Sequence, residues 1–291
     1  MMKAPQSIFL ACLLALSLAA CETMDSVVDL GASAEPETVG IPAGRFVQGS
    51  SPEQRDYAYT LDELATGSAR SRDQRLYARE LEPQWIELPA FEIAATPITN
   101  AQYAAFVEAT GHPAPDVDQE TWLSYRQRLG YEATRPYAWN EGRPPEGRAD
   151  HPVVLVDYED ALAYAAWLSE ETGRTWRLPS EAEWEKAARG DDGRTFPWGN
   201  AWDPERLNTA DEGPGETLPV GSFAEGASPY GLLDAAGQVA EWTASEQAPG
   251  RHFVKGGAWN DQGCGACRPS AREGRPDRQR NVDLGFRLVV E

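Results

Sequence analysis

Three helix starts, each spelled out with a cap and a stop, constrain this chain more than any other feature. The sharpest lies in Arg177-Leu178-Pro179-Ser180-Glu181-Ala182-Glu183-Trp184-Glu185, where Ser180 can accept from the Glu183 backbone while Glu183 reaches back to Ser180. Trp184, Ala187 and Ala188 then share one face, and Gly190 stops the helix. Thr99 with Gln102 opens another helix, with Tyr103, Phe106 and Val107 as its buried stripe and Gly111 as its close. Asp157 opens a third, with Ala161, Tyr164, Ala165 and Leu168 inward before Gly173. Around them stand 26 Gly and 22 Pro in 291 residues, so much of the chain is loop. Alternation from Ile41 to Gly49 and from Ile86 to Ile93 predicts a strand in each stretch. Ser50 to Pro83 is charged and lacks an apolar period; it reads as a surface excursion, helical near Gln74 to Leu81. From Ala201 onward the pattern is turns, tryptophan-rich segments and short strands, closing with Leu284-Gly285-Phe286-Arg287-Leu288-Val289-Val290. No internal repeat is evident. The expected class is α+β, a single loop-rich domain.

Charge and the N-terminus narrow the partners. Forty-six acidic residues against 26 basic ones give a net charge of −20, which repels phosphate backbones and anionic lipid surfaces, so nucleic acid is not an expected partner. Lys3 precedes an apolar run, Ile8 to Ala20, too short to span a bilayer and fit for the core of a secretory signal. It ends in Leu18-Ala19-Ala20-Cys21, the form of a bacterial lipobox. Cleavage before Cys21 and acylation of its thiol would anchor the protein through lipid alone, each buried CH₂ contributing about 0.8 kcal/mol. The expected organisation is a signal peptide over 1–20, a lipidated tether over 21–40 and a domain over 41–291, in the bacterial envelope, periplasmic or at the cell surface.

Further blocks follow the Arg177 motif in a fixed order: Phe196-Pro197-Trp198-Gly199-Asn200, Gly231-Leu232-Leu233-Asp234-Ala235-Ala236-Gly237, and Gly256-Gly257-Ala258-Trp259. Together they resemble the formylglycine-generating enzyme family, the sulfatase-modifying factors. The resemblance covers the chain from about Ile41 to its end. It implies a variant of the C-type lectin fold with little regular secondary structure, and action on a protein or peptide substrate.

Two places could carry chemistry. In Asp234-x-x-Gly237-x-Val239-x-Glu241, the carbonyls of Gly237 and Val239 can converge with two carboxylates on one hard cation such as calcium; a turn with solvated acids is the alternative. The resemblance places a family calcium site on these same four residues, and a second near Asn208, Thr209 and Asp211 or Glu212. The other place is Cys264-Gly265-Ala266-Cys267, the only cysteines left once Cys12 leaves with the signal and Cys21 is acylated. A local disulfide, a redox pair and a copper-thiolate pair all fit these residues. A closed zinc site does not, because His112, His151 and His252 lack metal-like spacing.

Formylglycine-generating enzymes are copper oxidases whose two active-site cysteines are separated by four residues, against two here. Here Asp261 falls where the first is expected, Ala258 replaces the serine after Gly256-Gly257, and Ala240 replaces a pocket tryptophan. Arg272 and Arg287 match the family's closing blocks and could line a pocket or pair with acids. No Gly-x-Ser-x-Gly elbow, Walker loop or His-Glu-x-x-His helix is present, and the extra domain that supplies histidines to the ergothioneine-forming relatives is lacking. Two functions follow as expectations: a calcium-stabilised module binding a protein or peptide, or a peptide-modifying oxidase whose catalytic residues are Cys264 and Cys267.

Overall fold

All three spelled-out helix starts form, each with its capping box closed. In the computed structural model, which describes residues 35–291, the chain opens with β1 (Thr38–Ile41), β2 (Gly44–Gln48), α1 (Pro52–Thr66) and α2 (Arg70–Asp73). It continues through β3 (Gln84–Leu88), β4 (Phe91–Ala94), α3 (Asn100–Thr110), α4 (Gln119–Ser124), α5 (Tyr158–Thr172), β5 (Trp176–Arg177) and α6 (Glu181–Arg189). The last elements are β6 (Ala240–Ala248), β7 (Arg251–Lys255), β8 (Glu273–Pro276), β9 (Leu284–Gly285) and β10 (Val289–Val290). The proposed signal and Cys21 lie outside the described residues. Among the described residues no helix is long and apolar enough to cross a membrane.

Thr99, Asp157 and Ser180 cap α3, α5 and α6, and Gly111, Gly173 and Gly190 end them. Tyr103 and Phe106 are buried with Tyr164 of α5, which stacks on Tyr103 at 5.5 Å between ring centroids. Helix α6 is buried on every side: Trp184, Ala187 and Ala188 sit in the core while Glu185 and Arg189 pair with each other at 2.8 Å.

Proline redraws the two expected strands. Pro42 separates β1 from β2, and Pro89 separates β3 from β4, because proline has no N–H to give to a ladder. The pieces enter different sheets. β1 pairs β4, which joins β10 and then β5, while β2 pairs only β3. The third sheet runs β8-β7-β6-β9, with Ala240 of β6 opposite Leu284 of the parallel β9. β1 starts at Thr38, before the expected domain start at Ile41.

The stretch from Ser50 to Pro83 is more than a surface excursion. Ser51 and Gln54 close a capping box, Pro52 starts α1, and Gly67 ends it in the left-handed region; a short 3₁₀ turn over Leu76–Arg79 replaces the helix expected there. Ala58, Leu61, Asp62, Tyr77 and Glu80 are buried.

One buried arginine ties the sheets together. Arg287 donates to both Glu241 oxygens, through Nε at 2.6 Å and Nη2 at 2.7 Å, and to the carbonyls of Ala94, Ala95 and Leu233. Trp184 Nε1 donates to the same carboxylate at 2.7 Å. Both ions are fully buried, so losing one partner strands a charge without water. Arg287→Met is expected to destabilise the fold by about 3–5 kcal/mol, read as a lower urea midpoint at unchanged slope; a loss under about 1 kcal/mol would refute this role.

Candidate functional site

After β7 the chain runs through Gly256 and Gly257 into a loop that ends at β8, and this loop carries both cysteines. Cys264 takes a left-handed backbone, φ 49°, and opens a 3₁₀ turn over Gly265–Cys267 in which Cys267 N–H donates to Cys264 O at 3.0 Å. The turn brings the Cα atoms to 5.0 Å, and the two sulfurs are bonded as a disulfide. Such a bond is that of a local disulfide and equally of a redox pair in its oxidised form.

The α1–α2 stretch grips that loop. Gly265 N–H donates to Asp62 Oδ1 at 2.9 Å, and the Tyr77 hydroxyl donates to Asp62 Oδ2 at 2.6 Å. Arg268 forms a fully buried ion pair with Glu80, lies over the Tyr77 ring at 4.9 Å, and donates to Gly265 O at 3.0 Å. Contact is close enough to exclude side chains: a Cβ on Gly263 would stand 2.6 Å from Asp62 Cα, and one on Gly265 would overlap the Tyr77 ring. Asp62, Tyr77 and Glu80 escape sequence reasoning because their partners are remote in the chain, whereas Arg268 is marked by its place beside Cys267. The Ser51-Pro52-Glu53-Gln54 start was the available signal, and it locates α1 but not what α1 touches.

Between these segments lies a groove of about 740 Å³, lined among others by Asp62, Tyr77, Lys255, Asp261, Cys264 and Arg272. Lys255 is buried at its wall, 3.7 Å from both Glu181 and Glu185, and Arg272 pairs with Glu181. Thus Arg272 both lines the groove and serves an acid, whereas Arg287 is wholly structural. Arg177 also stays structural, with two hydrogen bonds to Glu183 at 2.8 and 3.0 Å.

Asp261 is half-buried, and its Oδ2 accepts from Ala258 N–H at 2.9 Å. An oxygen of its carboxylate and the two sulfurs lie within 4.8 Å of one another. Burial, and then repulsion from Asp283, pushes its carboxyl up to about 7.

Both carboxylates assigned to calcium have partners within the protein. Glu241 accepts from Arg287, which balances its charge, and from the Trp184 indole N–H. Asp234 is buried with φ 53° and accepts from Gly221 N–H at 2.6 Å; burial raises its carboxyl to about 6. Gly237 N–H donates to Gly256 O, and the Val239 side chain belongs to a core cluster with Trp122 and Trp259. Asn208 differs from all four. Its Nδ2 donates to Glu216 O and to Gln238 Oε1, both at 2.8 Å, but among the described residues its buried Oδ1 has no partner, and neither has Thr209 Oγ1. The same loop is laced to the cysteine loop: Ala210 N–H donates to Asp261 O, and Gly263 N–H donates to Asp211 Oδ2.

A family model for the sulfatase-modifying factor enzyme 1-like domain matches residues 26–291. The chain belongs to the sulfatase-modifying factor family. Its similarity to the formylglycine-generating enzyme of Mycobacterium tuberculosis is 31% identity, covering 79% of this chain and 97% of that protein. It is 29% identical to the mouse inactive C-alpha-formylglycine-generating enzyme 2, covering 90% of this chain and 88% of the relative. Among solved structures, PvdO from Pseudomonas aeruginosa superposes with a TM-score of 0.68 at 26% identity, over 89% of this chain and 96% of PvdO. The fold is therefore the loop-rich, C-type-lectin-like one of this family. In this sulfatase-modifying factor domain the cysteine loop, the α1–α2 stretch and Asp261 meet at one groove.

The raised Asp261 carboxyl has a signed effect on stability. Its protonated form favours folding, so this group weakens the fold as pH rises from about 4, where the unfolded carboxyl titrates, to about 7. Asp261→Asn is expected to gain stability relative to the parent across that window, measured by urea unfolding at several pH values. A pH-independent difference would contradict the burial argument.

Proposed function

We propose that this protein is an envelope lipoprotein whose sulfatase-modifying factor domain binds a protein or peptide segment in the groove, without copper-dependent oxidation of it. The Cys264–Cys267 bond carries this reading, because Cu(I) is held by thiolates and joined sulfurs offer none. Asp261 and Ala240, standing where the resemblance expects a cysteine and a tryptophan, support it. So does the relative named inactive, a family member that goes without the activity. Leu18-Ala19-Ala20-Cys21 after an apolar run supports the lipid anchor.

A second reading, a peptide-modifying oxidase, is favoured by one observation. Asp261, Cys264 and Cys267 would offer three converging donor atoms once the disulfide is reduced. The two readings part on purified protein. Binding alone predicts an oxidised pair by thiol-specific alkylation and mass spectrometry, no Cu(I) retained after mild reduction, and no aldehyde formed on a cysteine-bearing peptide. Aldehyde formation lost in Cys264→Ser or Cys267→Ser would establish the oxidase instead.

Calcium fits best at Asn208. The Oδ1, an unmet acceptor among the described residues, lies where only a glycine fits at 213, since a Cβ there would overlap it, and an oxygen-seeking cation would satisfy it. Such an ion would brace the loop that holds Asp261 and Gly263. Chelation is expected to lower the melting temperature of the parent by about 2–4 °C, the response to roughly 1 kcal/mol in a domain of this size, and to leave Asn208→Ala unaffected. Equal responses in both proteins would remove calcium from this site.

A further inference from the structure

We propose that the segment taken by the groove is acidic, an inference that rests on the peptide-binding reading and adds the ligand's charge. The chain as a whole carries −20, yet two short stretches that each send an arginine to the groove are basic in sequence. From Ser68 to Arg79 there are Arg70, Arg72, Arg75 and Arg79 against Asp73 alone, and from Trp122 to Tyr131 there are Arg126 and Arg128 and no acid. Each stretch sends one arginine to the groove lining, Arg70 from α2 and Arg128 from the loop after α4. Among the described residues neither guanidinium has an ion-pair, hydrogen-bond or ring partner.

The other charges of the groove are already committed. Lys255 and Arg272 serve Glu181, and Glu273 holds Arg275 Nη2 at 2.9 Å. Asp62 accepts from Tyr77 and Gly265, Asp283 from Asn260 Nδ2 at 3.1 Å, and Asp261 from Ala258. What remains open is cationic. Among the described residues Arg275 adds a buried Nε with no acceptor, on the strand β8, which pairs with β7 on one side only. An extended segment alongside β8 would offer a carboxylate to Arg275 Nε and flanking acids to Arg70 and Arg128, forks suited to carboxylates. A polynucleotide would present anions too, but its dense phosphates meet the field of the whole acidic chain.

The test uses the full-length chain and short fluorescein-labelled peptides of equal length, alternating leucine with glutamate, glutamine or lysine, read by fluorescence anisotropy. The glutamate peptide is expected to bind about tenfold tighter than the glutamine one, and more weakly as salt rises. Arg70→Glu with Arg128→Glu should erase that preference, while Arg70→Lys with Arg128→Lys retains most of it, with circular dichroism unchanged in both. Equal binding of all three peptides, or preference for lysine, would overturn the acidic assignment and leave peptide binding standing. Binding of none of them would overturn both.

Discussion

A guanidinium shut away from water, that of Arg287, is the interaction on which the rest of this fold depends. It spends its donors on one carboxylate and three backbone carbonyls, and these belong to β4, β6 and the loop before Asp234. Trp184 completes the cluster from α6. The most recognisable motif in the sequence is therefore a contributor to a buried charge network, and its role is architectural. Glu241, which the sequence offers as a cation ligand, is also the buried counter-ion of this arginine.

How much of this was legible depended on whether the physics was local. The capping boxes of α3, α5 and α6 were readable because both partners of each lie three residues apart. The strands were half readable: alternation marked the right residues, but Pro42 and Pro89 divide each run between two sheets. The site was legible as ingredients. Cys264, Cys267, Asp261 and Asn208 could all be named in advance. Their arrangement could not, since Asp62 meets Gly265 and Glu80 meets Arg268 across most of the chain.

The stretch between β2 and β3 gains most from the structure. Its high charge suggested a solvated excursion, but Glu80 and Asp62 are spent on buried contacts to the cysteine loop. Two acids that inflate the surface charge count are thus interior residues. The disulfide, the 3₁₀ turn and the Asp211 contact hold the same few residues from other directions. Such a loop presents a fixed surface to whatever enters the groove.

Gly263 and Gly265, pressed against α1 and Tyr77, give that surface an evolutionary asymmetry. No larger residue can be accommodated at either position unless the helix retreats, so drift in recognition has little raw material there. Arg70 and Arg128 are solvent-facing, and exchanging them disturbs no packing. Under the peptide-binding proposal, descendants of this domain would therefore acquire new clients by rewriting the rim while inheriting the floor unchanged.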